Sequence, residues 1–211
     1  MSGNVDFTLM YAMHNALRRD VAHIARITAG TGDDPRRILG NTAGWELFKR
    51  ALHIHHTAED EALWPQMTVA LADRPDDLAV VEAMEAEHAG IDPLLEAIDL
   101  ALADRDRGPQ RVGDLTDALA GTLGRHLTHE ETDTLPLIET SLTAEQIQNF
   151  GTVHAAKGGP DGPRITPWML DGQDDRIVAA TLAVLPPPLR TVYENQWQPA
   201  YASVDWWNSR V

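Results

Sequence analysis

Apolar side chains recur at a spacing near 3.6 in four long stretches of this sequence, a period that specifies amphipathic helices. The first stretch runs from about Asp6 to Thr28, with Met10, Met13, Leu17, Val21 and Ile24 on one face. Gly30-Thr-Gly-Asp-Asp-Pro35 breaks it, and Asn41-Thr42 offers a cap for a second helix from about Ala43 to Leu71, stepped near Pro65. A third follows Arg74-Pro75 and continues to about Asp104, with Pro93 as a second expected kink. Gly108-Pro109 separates it from a fourth, about Gln110 to Glu139. Short polar connections between long helices predict an all-α fold, an antiparallel up-down-up-down four-helix bundle over residues 1–140.

Beyond Thr140 the texture changes. Thr143-Ala-Glu-Gln146 reads as a helix start with a capping box, and Gly158-Gly-Pro-Asp-Gly-Pro163 as a loop. Residues 164–211 carry Trp168, Trp197, Trp206 and Trp207 and the run Pro186-Pro-Pro188. Residues 141–211 are therefore expected to form a helical and irregular C-terminal extension packed on the bundle.

Composition narrows the function. With 17 basic and 32 acidic residues the net charge is −15, which argues against a nucleic-acid partner. No apolar run reaches the roughly 18 residues that a membrane span needs, and the first residues lack the layout of a secretory signal. Cysteine is absent, so disulfides, Fe–S ligation and thiolate zinc sites are excluded. That absence fits a reducing compartment, and the cytoplasm is the expected location.

The chemistry lies in an internal repeat. His55-His-Thr-Ala-Glu59-Asp-Glu-Ala-Leu-Trp-Pro65 falls in the second helix and His126-Leu-Thr-His-Glu130-Glu-Thr-Asp-Thr-Leu-Pro136 in the fourth. Both place His first, Thr third, Glu fifth, an acid sixth and Pro eleventh. A four-residue offset puts His and Glu on one helical face, about 6 Å of rise apart. His14 sits beside the apolar face of the first helix, and His88 beside the stripe Ile91, Leu95 and Ile98 of the third. Four imidazoles and two carboxylates buried together without a cation are costly unless they neutralise or find partners, and a shared metal site resolves that cost.

These residues resemble the hemerythrin-like, HHE cation-binding family. The likeness rests on His14-Asn-Ala-Leu-Arg-Arg, His55…Glu59…Leu-Trp-Pro, Glu87-His88…Ile91-Asp…Leu94-Leu and His126…Glu130…Leu-Pro, from about Phe7 to Ile138. It implies a four-helix bundle with two Fe ions, bridged by an oxo or hydroxo group and by carboxylates. It implies as ligands His14, His55, Glu59, His88, His126 and Glu130, with Glu59 and Glu130 as the bridging carboxylates. Imidazole and carboxylate also suit Zn and Mn. Asp60, Glu61, Glu131 and Asp92 are candidates to hydrogen-bond the ligating rings.

One departure matters. Oxygen-carrying hemerythrins present two histidines four apart on the third helix, but Met84 and Asp92 flank His88 at that spacing here. One iron then lacks a ligand or takes an oxygen ligand from Tyr11, Glu85 or Asp92. His56 is an alternative to His55 if the helix is rotated. His23 is expected on the far face, and His129 at the surface or hydrogen-bonded behind a ligand. His154 falls outside the bundle.

The resemblance thus implies a non-haem diiron protein that binds or reacts with O₂, peroxide or NO, and an open site suits a peroxide- or O₂-consuming oxidoreductase. A metal-storage or structural-metal bundle without redox turnover is the alternative. An interaction protein that loads no metal is a third reading.

Overall fold

The computed structural model describes residues 5–29, 43–104 and 106–207. The break expected at Gly30–Pro35 and the cap at Asn41-Thr42 lie outside the described residues. Among the described residues every regular element is helical. No helix there is long and apolar enough to cross a membrane.

Helix α1 spans Thr8–Ala29 and starts where Asp6 accepts the Thr8 backbone N–H at 2.9 Å. Its buried face holds Met10, Met13, Leu17, Val21 and Ile24, the stripe its period predicts. Helix α2 covers Ala43–Ala62 and α3 Trp64–Ala70, separated by a turn at Leu63. Pro65 has no N–H to continue the ladder, so the step falls where proline forces it. Helix α4 runs over Pro75–Ala103 as one element with Pro93 inside it.

Helix α5, Gly108–His129, passes into a π turn at Glu130–Thr134 and then into α6, Leu135–Ser141. Within that turn the Leu135 N–H bonds the Glu130 carbonyl, one residue further back than in an α-helix. Periodicity treats this stretch as one helix, because a single wide turn barely disturbs an apolar stripe.

Two hydrophobic clusters fill the bundle, one above and one below a polar layer. The larger holds Leu17, Ile24, Trp45, Phe48, Ile91, Ile98, Leu119 and Leu123. The smaller holds Met10, Trp64, Met67, Val81, Met84, Leu135 and Ile138. Between them each long helix lends imidazoles or carboxylates in place of apolar side chains.

The extension starts with α7, Ala144–Gly158, capped by reciprocal bonds between Thr143 and Gln146 as the capping box predicts. The run 158–163 is tighter than the expected loop. A single 3₁₀ turn at Gly159–Asp161 links α7 to α8, Gly162–Leu170, with Gly159 at φ +38°. Glycine carries that angle without a Cβ clash. Helices α9 (Asp175–Val184), α10 (Pro187–Val192) and α11 (Gln198–Ala202) follow.

Long-range hydrogen bonds tie these residues to α1 and α2. Trp168 Nε1 donates to buried Asp20 at 2.6 Å, Gln173 Nε2 to the Ala12 carbonyl at 2.8 Å, and Gly44 N to the Trp206 carbonyl at 2.9 Å. A Cβ on Gly44 would lie 2.6 Å from that carbonyl oxygen, so only glycine permits the approach.

Candidate metal centre

Four donors meet on one side of the polar layer: His14 from α1, His55 and Glu59 from α2, and Glu130 from the π turn. His14 Nε2 lies 3.1 Å from His55 Nε2 and 3.2 Å from Glu130 Oε2, and His55 Nε2 lies 3.3 Å from Glu59 Oε1. A second group joins His56 from α2, His88 from α4 and His126 from α5. The His56 and His88 rings stack at 3.9 Å, and His126 meets both edge-on at 5.2 and 4.8 Å. Glu59 spans the two groups, because its other oxygen lies 3.4 Å from His88 Nε2.

All seven side chains are at most 5% exposed. His56, His88 and His126 each leave Nε2 without a hydrogen-bond partner, as do both oxygens of Glu59 and of Glu130. Burying so many unsatisfied polar atoms costs on the order of 1–3 kcal/mol each. A cation placed among these atoms relieves that cost.

Hydrogen bonds behind the rings fix which nitrogen looks inward. A carboxylate only accepts, so His14 Nδ1 donates to Glu131 (2.8 Å), His88 Nδ1 to Asp60 (2.8 Å) and His126 Nδ1 to Glu87 (2.9 Å). Each bond leaves Nε2 as a lone pair, the ligating tautomer. Asp60 and Glu131 were candidates for this role by sequence. Glu61 instead pairs with Lys157 at 2.7 Å, and Asp92 lies in an outer groove.

Glu87 was not foreseen. Its position beside His88 resembles an ordinary helix charge, yet it holds His126 and also His129 at 2.8 Å. Glu131 is anchored in turn by the Arg18 guanidinium at 2.6 and 3.0 Å.

Electrostatics divide the donors, drawing some toward the ligating form and holding Glu59 and His14 toward the protonated one. Burial, then the neighbouring imidazoles, drives His55 and His56 well below the usual histidine range. Burial lowers His126 as well. Burial and then the Glu130 charge push Glu59 well up. For Glu130 burial works upward, but His14 and His126 outweigh it and the carboxyl ends lowered. His14 is the converse: burial acts downward and Glu130 with Glu131 carries it up. Glu131 falls to about 2, because His14 and Arg18 overcome its burial.

The structure thus brings together all six residues singled out by sequence, and adds His56. His56, expected only as a substitute for His55, points into the layer together with it. Neighbours on an α-helix differ by about 100°, so α2 feeds one group with His55 and the other with His56.

Helix α4 brings one imidazole to that group, His88, and α2 adds His56 beside it. Tyr11, proposed as an oxygen donor, is 41% exposed and turned to solvent. Glu85 and Asp92 are exposed residues of the groove. His23 packs its ring 5.0 Å from Trp207. His154, which sequence left unassigned, comes from α7 to within 6.2 Å of the His55 ring, and burial takes it down to about 4.

Five imidazoles and two carboxylates, with no thiolate anywhere in the chain, form a nitrogen and oxygen donor set that fits iron, zinc or manganese. A family model described as the hemerythrin HHE cation binding domain matches residues 5–138, more than half of the chain. Searches among curated proteins and among solved structures found no match.

Proposed function

The chain belongs to the hemerythrin HHE cation-binding family, and from that premise we propose that it is a non-haem diiron protein that binds or reacts with O₂, peroxide or NO. The observation that carries this reading is the pair of adjoining donor groups joined through Glu59. One group offers two imidazoles and two carboxylates and the other three imidazoles, so each has enough donors for one metal ion. Two irons bound there supply one-electron redox changes and Lewis acidity toward a small oxygen or nitrogen ligand.

The protein's own part is to hold the donors, keep them neutral or paired, and exclude bulk water. Burial keeps His55 and His56 unprotonated. Glu131, Asp60 and Glu87 orient three rings through Nδ1. Trp64 Nε1, on a ring 6.0 Å from His88, is a further buried donor without a partner. An unsatisfied buried donor is costly, and a small polar molecule bound beside the centre relieves that cost.

The test is anaerobic loading with Fe²⁺, followed by addition of O₂, peroxide or NO under an ultraviolet–visible spectrometer. A new near-ultraviolet band on addition is expected. Peroxide loss alongside it marks an enzyme, and a stable shift without loss marks a binder. Iron that loads but leaves the spectrum unchanged with all three contradicts the redox reading and favours metal storage.

A further inference from the structure

The donor groups are not equally enclosed. On the side of His14 and His55, α7 packs along α2 and sets His154 beside the His55 ring, with Phe150 edge-on to His154. On the side of His56 and His88 a groove of about 370 Å³ opens between α2 and α4.

Its walls are two helical faces of matching spacing. Helix α2 presents His53, His56, Thr57 and Asp60, and α4 presents Glu85, His88, Ala89 and Asp92. The outer residues His53, Asp60, Glu85 and Asp92 are exposed, and among the described residues no lysine or arginine lines the groove. Its floor is the stacked His56 and His88, each 5% exposed and each with Nε2 unpartnered.

We propose that this groove is the port by which a divalent cation reaches the metal centre, drawn in by Asp60, Glu85 and Asp92 and handed to His56 and His88. The proposal rests on the diiron reading and says how the site is filled. Three carboxylates without a compensating cation create a negative potential that concentrates divalent ions at the mouth and raises their on-rate.

Passage is favoured over residence. Among the described residues the outer groups do not form a ligand cluster of their own, whereas His56 and His88 already belong to an inner one. Asp60 reaches both regions, because it accepts His88 Nδ1 at 2.8 Å. It is therefore left intact in the test.

The experiment mixes the metal-free full chain with Co²⁺ in a stopped-flow spectrometer and follows the absorbance of bound cobalt. The wild type is compared with the double variant Glu85→Gln, Asp92→Asn, both sites being exposed. Near 10 mM ionic strength, where the screening length is about 30 Å, uptake by the variant is expected to be about tenfold slower. Near 0.5 M the gap should close to under about twofold. The final cobalt content should be unchanged.

Equal rates at low ionic strength overturn the port and leave the diiron reading standing. A lower final content also overturns it, because the carboxylates are then ligands. No cobalt bound by the wild type defeats the underlying reading instead.

Discussion

The two copies of the eleven-residue repeat begin alike and are used differently. In the first copy His55 and Glu59 stay on one α-helical face, and their donor atoms lie 3.3 Å apart in the same group. In the second, His126 joins the three-imidazole group while Glu130, opening a π turn, joins the other. The second position also differs. His56 is a donor in the first copy, whereas Leu127 is fully buried in the apolar core in the second. A shared pattern therefore supplies the donor types, and local backbone geometry with one neighbouring residue decides how they are shared out.

The most disruptive way to break this division is at Glu59, the residue that faces both groups. Glu59→Ala should reduce bound metal from about two ions per chain to fewer than one, read by elemental analysis after reconstitution. An unchanged content would mean that the groups fill independently. Metal removal comes next. Saturation at 100 to 1,000 times the dissociation constant adds about 3–4 kcal/mol. Chelation should accordingly lower Tm by roughly 6–15 °C for a chain of this size. A shift under about 2 °C, on the same scale, would indicate a bundle that does not depend on its metal.

The carboxylates behind the rings belong to one group each. Glu131→Gln and Glu87→Gln remove the charge that orients His14 and His126 respectively. Each should weaken metal binding by about 10–100-fold, measured by competition with a chelator, with the loss confined to one of two ions. Equal losses of both ions would show that the groups act as one unit.

The smallest effect concerns acid. His154 is held at about 4 by burial, so between pH 6.5 and 4 the unfolded chain binds a proton that the folded chain refuses. Stability of the metal-free protein should fall as pH drops through that window. His154→Phe should flatten part of the slope in urea titrations at several pH values.

Much of the bundle was legible because its signals are local or periodic. The face from Met10 to Ile24 follows from helical spacing, the step before Pro65 from a missing N–H, and the Thr143 cap from a four-residue pattern. Five of the residues brought together lie on the same helical faces that the repeat and the apolar stripes mark, and His14 lies at the edge of one.

What was hidden depends on partners distant in sequence. His56 looks turned away from a single metal position, and gains a use only when two donor groups lie side by side. Glu87 reads as a solvated charge until α5 brings His126 and His129 against it. The π turn adds one residue to a helix without altering its composition. Asp20 has no visible purpose until Trp168 reaches it across 148 residues.

On the proposed diiron reading, His14 and His56 serve different metal ions within one centre. The most direct test of that division is an anaerobic titration of the metal-free chain with Fe²⁺, counting tightly bound iron in the wild type, in His14→Leu and in His56→Leu. About two irons are expected in the wild type and about one in each variant, each group holding one ion of a two-metal site. Two irons in His56→Leu, or a single iron in the wild type, would contradict it.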